Sequence, residues 1–206
     1  MIELTCALLT FMLAAIPFGQ IIARYVADVD LHSVGSGNIG ATNVARVVGK
    51  GAGLLTLLLD VSKGLLAVMA AGSVSTRPHY WGFVGLVAVL GHCFTPYLRW
   101  RGGKGVATSL GVLSGLVPAA ALGGLLVWLV GVGSSRRSSV GALLALPVTV
   151  LITGWWEPGL TGWVAALAGV VAVRHTSNIR RLLEGRELGV DELPTRGESA
   201  VGESAS

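Results

Sequence analysis

The chain has 206 residues, 52% of them hydrophobic and only 13% charged, with a mean hydropathy of +0.72. An average soluble domain carries about 25% charged residues, so a water-soluble globular fold is excluded and a lipid bilayer is the expected solvent. The net charge of +4 does not indicate nucleic acid, because the basic residues are dispersed at the ends of apolar stretches and no basic, aromatic-interleaved patch occurs.

The first apolar stretch, residues 4–23, has only Glu3 ahead of it and no small-residue cleavage site, so it is expected to stay as a permanent first helix. Arg24 follows that stretch and no basic residue precedes it, which places the N-terminus outside and residues 25–53 on the cytoplasmic side. The second stretch, 54–72, leads out to a turn with Arg77 and Pro78, and 81–90 returns to Arg99, Arg101 and Lys104. Cys6 and Cys93 are far apart and lie within or beside apolar segments, so they read as inert thiols rather than a disulfide or a metal site.

Residues 106–132 form an apolar run long enough for one steep helix or, broken near Gly115 and Pro118, two short ones. Parity decides for two. A single crossing would leave Arg136, Arg137, Arg174, Arg180 and Arg181 outside, whereas two crossings bring all of them inside. With 140–153 and 160–173, the expectation is an all-α integral membrane protein of about seven short transmembrane helices, N-terminus outside and C-terminus cytoplasmic. Residues 1–187 read as a single membrane domain, and residues 188–206, rich in Gly, Ser and acidic side chains, as a disordered cytoplasmic tail.

Three polar segments are then expected to meet on the cytoplasmic face. The first, VGSGNIGATNVAR at residues 34–46, combines Gly35, Gly37 and Gly40 with Ser36, Asn38, Thr42, Asn43 and Arg46. Glycines bring backbone N–H groups close to an anion, and Arg46 adds a charged fork suited to phosphate. A dinucleotide fingerprint is matched in letters, with Asp60 about 20 residues on, but it needs a βαβ unit, and here an apolar helix precedes and Asp60 sits inside the next one. A bare helix connection would not need so many hydrogen-bonding side chains.

The second segment, GHCFTPYLRWRGGKGVATSLG at 91–111, carries Gly102, Gly103 and Lys104. It is not a Walker loop, because Gly105 follows the lysine and Leu98 stands where the first glycine belongs. A Gly-Gly-Lys-Gly turn entering a helix still offers backbone donors, a helix N-terminus and an ammonium to a phosphate. His92 reads as a buried, hydrogen-bonded residue. In the third segment, RHTSNIRRLLEGRE at 174–187, His175 and Asn178 share a helical face, Arg174, Arg180 and Arg181 suit interfacial anchors, and Glu187 suits pairing with a basic neighbour. Asp60 and Lys63, three apart in an apolar helix, must pair with each other or face a polar cavity. Ser138 and Ser139 suit a helix cap or a cavity wall.

Taken together, GSGNIGATNVAR, GHCF with GGKGVATSLGVL, and RHTSNIRRLLEGRE resemble the bacterial acyl-phosphate:glycerol-3-phosphate acyltransferases, the PlsY family, over about residues 16–187. The resemblance implies a multi-pass enzyme of the bacterial inner membrane with a cytoplasm-facing active site. The implied reaction moves a fatty acyl group from acyl phosphate to the 1-hydroxyl of glycerol 3-phosphate, giving lysophosphatidic acid and phosphate in phospholipid synthesis. It implies no cofactor, no metal and no nucleic-acid partner, and a monomer. Carried over by motif, His175, Asn178, Lys104, Ser36 and Arg46 are the catalytic set, and Gly37, Asn38, Gly40, Thr42, Asn43, Gly102, Gly103 and Ser139 bind substrate phosphate or shape its site. His32, the Thr95-Pro96 pair and Arg136-Arg137 depart from the family pattern outside the core motif positions.

Thioester-dependent glycerolipid acyltransferases generally use His-x-x-x-x-Asp, and none of His32, His79, His92 or His175 has Asp five residues on. Acyl phosphate already carries a good leaving group, which leaves alignment and charge neutralisation as the main tasks. Two mechanisms are compatible: a substrate-assisted transfer in which phosphate takes the proton, or His175 as general base. A transporter for a phosphorylated solute is the competing class. It is disfavoured because the polar motifs gather at one face and no two halves repeat.

Overall fold

The computed structural model describes residues 1–192, and within them all regular structure is helical. The chain opens with α1 (Ile2–Ala14) and α2 (Phe18–Ala27), where a single first helix was expected. Pro17 accounts for the difference, since it has no N–H to give and its ring pushes Ile16 out of the helical region. The break frees backbone carbonyls in an apolar setting. That of Ile16 is met by Phe18 N at 3.1 Å and by Lys63 Nζ at 3.2 Å.

A short helix α3 (Ala41–Val47) follows the first polar loop and leads into α4 (Lys50–Val74). Arg77 and Pro78 turn the chain into α5 (Pro78–Cys93), with proline in the first helical turn, where no hydrogen bond is lost. The long apolar run divides as expected, into α6 (Val106–Leu116) and α7 (Pro118–Ser135), with Val117 extended at φ −145° before the proline. Then come α8 (Ser138–Trp156), α9 (Thr161–Arg174) and the amphipathic α10 (Thr176–Leu183).

Five helical stretches are long and apolar enough to cross a bilayer: Ile2–Ala27, Lys50–Val74, Pro78–Leu98, Pro118–Ser135 and Ser138–Trp156. Two more apolar helices, Val106–Leu116 and Pro158–Arg174, are shorter. Large apolar side chains such as Leu8, Leu58, Leu122, Leu126 and Leu151 point outward, as expected of a surface solvated by lipid.

Inside, small residues set how closely helices approach. A Cβ on Gly64 of α4 would overlap the Thr108 carbonyl, and one on Gly111 of α6 would overlap the Val61 carbonyl, so this crossing brings the two backbones together. The α7–α8 hairpin closes the same way, with the position of a Gly131 Cβ only 2.6 Å from Gly141 Cα.

The two ends of the bundle differ in kind. At one end a Glu3–Arg77 ion pair (2.5 Å) and a Tyr80 hydroxyl donated to the Glu3 carbonyl (2.8 Å) tie α1 to α5. At the other end all three polar segments converge, together with the α7–α8 turn. His32 Nε2 meets the Arg101 carbonyl at 2.9 Å, and Thr42 donates to Ser138 Oγ at 3.2 Å. Residues 188–192, expected to start a tail, fold back over this end, where Val190 N donates to the Arg136 carbonyl at 2.8 Å and Gly189 accepts from Arg46. The remainder of the expected tail lies outside the described residues.

Asp60 and Lys63 are both buried and form an ion pair of 2.8 Å. Removing one member of such a pair typically costs about 3–5 kcal/mol, whereas replacing both by apolar or neutral groups is often tolerated. Lys63→Met should therefore lower the melting temperature of the detergent-purified protein by about 10 °C, and Asp60→Asn with Lys63→Met should recover most of that loss. Equal losses in the single and double variants would show that the two charges do not compensate each other.

Candidate functional site

The first wall is a loop held from within. Gly35 and Gly37 have positive φ, +62° and +69°, and a Cβ on Gly35 would run into the Asn43 side chain. Asn43 is the loop's internal brace: its Oδ1 accepts from Ser36 N (2.9 Å) and Arg46 Nη1 (3.1 Å), and its Nδ2 donates to the Val34 carbonyl (3.1 Å). Asn38 Oδ1 accepts from Gly40 N at 2.9 Å and so shapes the turn into α3. These bonds give Asn43 a structural part, and it lines a cavity at this end of the bundle together with Ser36, Asn38, Gly40, Thr42 and Arg46. Gly37 lies behind that lining. Arg46 donates from Nη2 to the Gly189 carbonyl at 2.8 Å, and its buried Nε has no partner.

The second wall corrects an expectation about phosphate binding. The N–H groups of Gly102 and Gly103 are already donated to the carbonyls of Cys93 and His92, both at 3.1 Å, and neither glycine lines the cavity. Their own carbonyls are gripped by Arg174, whose Nε donates to Gly103 (3.1 Å) and Nη2 to Gly102 (2.9 Å). The glycines are required by space: a Cβ on Gly102 would overlap the His92 carbonyl, and one on Gly103 the His92 ring. This segment therefore positions Lys104, which does line the cavity. Burial pushes the Lys104 ammonium down to about 8, against the pull of Glu187.

Arg174 was legible as a basic residue at a helix end, where it suits an interfacial anchor; the structure makes it a clamp on the lysine loop. Its guanidinium also lies 5.3 Å from the Phe94 ring centroid. Asp60 and His92 also line the cavity, with His92 Nδ1 3.6 Å from Asp60 Oδ1. No His-x-x-x-x-Asp spacing could reveal this pair, because its members come from α4 and α5.

The third wall is organised by Glu187. Its Oε1 accepts from Ser139 Oγ (2.7 Å) and Asn178 Nδ2 (2.5 Å), and its Oε2 from Arg181 Nε (2.8 Å). Its backbone carbonyl accepts from Arg137 Nε at 3.1 Å. Burial works to raise this carboxyl's pKa, but the hydrogen bonds from Ser139, Asn178 and Arg181 outweigh it and hold the group below its ordinary value. Asn178 keeps an unpartnered, buried Oδ1. Ser139 is spent on Glu187.

His175 sits between α9 and α10, and its Nδ1 is 2.8 Å from the Val171 carbonyl. A carbonyl only accepts, so Nδ1 carries the proton and Nε2 is left as an acceptor. Burial is the main cause that brings this imidazole down to about 4, so it is neutral at pH 7.

The cavity thus has a rim that includes Arg46, Lys104 and Arg181, with Glu187 as the balancing carboxylate. Below the rim it continues between α6, α7, α8 and α9 as a trough lined by Leu110, Leu113, Leu125, Leu146, Leu167 and Val171. Among the described residues no group of three His, Cys, Asp or Glu side chains is placed to hold a metal ion. A cationic rim over an apolar trough suits a ligand with a phosphate head and a hydrocarbon tail.

Residues 4–185 match the family model described as glycerol-3-phosphate acyltransferase. The chain is 42% identical over 181 residues to the glycerol-3-phosphate acyltransferase of Pseudomonas syringae pv. tomato, covering 88% of this chain and 94% of that one. It is 41% identical to that of Pseudomonas aeruginosa strain LESB58, covering 88% and 96%. In structure it is similar to PlsY (YgiH), an integral membrane glycerol 3-phosphate acyltransferase, in its glycerol 3-phosphate form, with a TM-score of 0.86, 36% identity and coverage of 92% and 96%. The lysophosphatidic acid form of that protein matches with a TM-score of 0.84, 35% identity and coverage of 92% and 95%. The chain belongs to the glycerol-3-phosphate acyltransferase family, as an integral membrane enzyme.

Proposed function

We propose that this enzyme takes its acyl group from acyl phosphate and delivers it to the 1-hydroxyl of glycerol 3-phosphate, at the cytoplasmic face of the bacterial inner membrane. The observation that carries this reading is the cavity itself, a cationic rim of Arg46, Lys104 and Arg181 opening into an apolar trough. Both reactants are phosphorylated, one also carries a chain, and the product joins phosphate and chain. The related structures named for glycerol 3-phosphate and lysophosphatidic acid support the acceptor and the product.

The topology proposed with it has seven spans, N-terminus outside and C-terminus cytoplasmic. The first is α1 with α2, and the others are α4, α5, α6, α7, α8 and α9. That count puts the rim and Arg99, Arg101, Arg136, Arg137, Arg180 and Arg181 on one side, as the positive-inside rule requires, and leaves Arg77 at the opposite end. Residues 1–187 make up the membrane domain, acting as a monomer without cofactor or metal.

In the proposed transfer, the glycerol O1 bonds to the acyl carbon, the bond from that carbon to the phosphate oxygen breaks, and phosphate leaves with the hydroxyl's proton. A phosphate with a second pKa of roughly 6 can accept that proton. Arg46 and Lys104 hold the anions, and Ser36, Asn178 Oδ1 and His175 Nε2 orient the reacting groups. A histidine held down to about 4 is a weak base at pH 7; together with the Nδ1–H committed to the Val171 carbonyl, this favours His175 Nε2 as a hydrogen-bond acceptor.

Purified enzyme given acyl phosphate and labelled glycerol 3-phosphate should form lysophosphatidic acid; no product, together with glycerol 3-phosphate flux into proteoliposomes, would replace the enzyme reading with a transporter. His175→Gln should lower kcat/KM by the same factor, about 10-fold for one lost hydrogen bond, at pH 6 and at pH 9. A variant rate climbing about tenfold per pH unit, as hydroxide replaces a missing base, would instead assign proton transfer to His175. Lys104 is charged below its pKa, so kcat/KM in the wild type should fall as pH rises through about 8. Lys104→Arg should flatten that alkaline limb.

A further inference from the structure

Two hydrogen-bond donors in the cavity take no part in the transfer proposed above. Ser109 Oγ and Trp128 Nε1 are buried without any partner among the described residues, and both residues line the cavity. Several helical hydroxyls of this chain turn back to the carbonyl four residues earlier, as Thr56 does to Ala52 (2.8 Å), Ser114 to Leu110 (2.7 Å) and Thr153 to Thr149 (2.7 Å); Thr108 Oγ1 is also buried without a partner but does not line the cavity. For Ser109 that acceptor is the Gly105 carbonyl, which takes the Ser109 N–H at 2.7 Å but not its hydroxyl. Trp81 and Trp163 likewise place their indole N–H groups, on the Ser75 carbonyl and on His79 Nδ1, whereas Trp128 does not. An unmet buried donor costs free energy and calls for an explanation.

Both donors sit near the polar end of the bundle. Ser109 is the fourth residue of α6, about 6 Å along the helix from the lysine loop at 1.5 Å per residue. The ring of Trp128 is against Gly141, whose Cβ position is 3.1 Å from Trp128 Cδ1, two residues beyond Ser139 on the rim. Ser109 and the Gly141 that Trp128 packs against are each the fourth residue of a helix that starts at the rim, about one turn in, near where the apolar trough begins. An acyl donor with its phosphate at Arg46 and Lys104 and its chain in the trough must put its carbonyl at that level.

We propose that Ser109 Oγ–H and Trp128 Nε1–H are catalytic donors to the carbonyl oxygen of the acyl group and stabilise the oxyanion formed on attack. The acceptor O1 adds to the carbonyl carbon, negative charge gathers on the carbonyl oxygen between these donors, and the charge returns as the bond to the leaving group breaks. Donors fixed in advance in an apolar, water-poor site stabilise such charge strongly. This inference rests on the acyl-transfer reading but not on the identity of the donor, since every acyl donor brings a carbonyl.

Ser109→Ala and Trp128→Phe test it in full-length enzyme purified in detergent, with acyl phosphate and glycerol 3-phosphate as substrates. Each should lower kcat by about 10- to 100-fold, leave KM for glycerol 3-phosphate unchanged, and leave the melting temperature unchanged or raised, because each removes an unmet buried donor. Values of kcat within twofold of wild type in both variants would overturn the proposal, as would a rise in donor KM with kcat unchanged. If Trp128→Phe does not fold, Ser109→Ala decides alone. Should the wild type turn over acyl thioester but not acyl phosphate, the donor assignment fails, and the same variants measured with thioester still test the oxyanion role.

Discussion

One carboxylate holds the cavity end of this enzyme together. Three cationic side chains face one cavity in a water-poor setting, and without a balancing charge they would repel each other and resist burial. Glu187 supplies that charge from the segment after α10. By accepting from Ser139 on α8 and from Asn178 and Arg181 on α10, it fixes the third wall against the α7–α8 turn. Three of its roughly four acceptor sites are then taken by the wall itself, so it orders the rim. Asn178 is turned so that its nitrogen goes to Glu187 and its oxygen stays free, which presents an acceptor to a hydroxyl.

The same demand, that every polar group in apolar surroundings find a partner, explains features that look unrelated in the chain. The helix break at Pro17 leaves the Ile16 carbonyl for Lys63, and Lys63 in turn needs Asp60. The Gly102–Gly103 segment has donors and acceptors on both sides, answered by the end of α5 on one side and by Arg174 on the other. Held in this way, the segment presents Lys104 to the cavity on a rigid base, which is what the proposed phosphate-binding role needs for alignment. Ser109 and Trp128 stand out against this background as donors that line the cavity, that nothing within the described chain answers and that the proposed transfer otherwise leaves unused.

Much of this was legible in the sequence where the signal is local. Apolar length marked the spans, Pro118 marked the division of residues 106–132, and basic residues at helix ends implied that the three motifs meet. Glu187 was readable as a partner for a basic neighbour, although not as the acceptor for Ser139 and Asn178 as well. What was not legible depends on helices meeting in register. Arg174 reaches across more than 70 residues to the glycine carbonyls, and Asp60 meets His92 from another helix. The glycines of the second motif were recognisable, but not that their N–H groups are already spent, because that follows from the C-terminal end of α5 lying beside them. Pro17 was visible and its effect was not, since an apolar run reads as one span until the fate of its freed carbonyls is known.

The central claim is that one cavity holds both the phosphate and the chain of the acyl donor. A structure of the enzyme with a non-hydrolysable acyl phosphonate tests it most directly. The account predicts the phosphonate between Arg46 and Lys104, and the chain running inward between α6, α7, α8 and α9. A phosphonate bound away from Arg46 and Lys104, or a chain lying on the outer, lipid-facing surface, would contradict it.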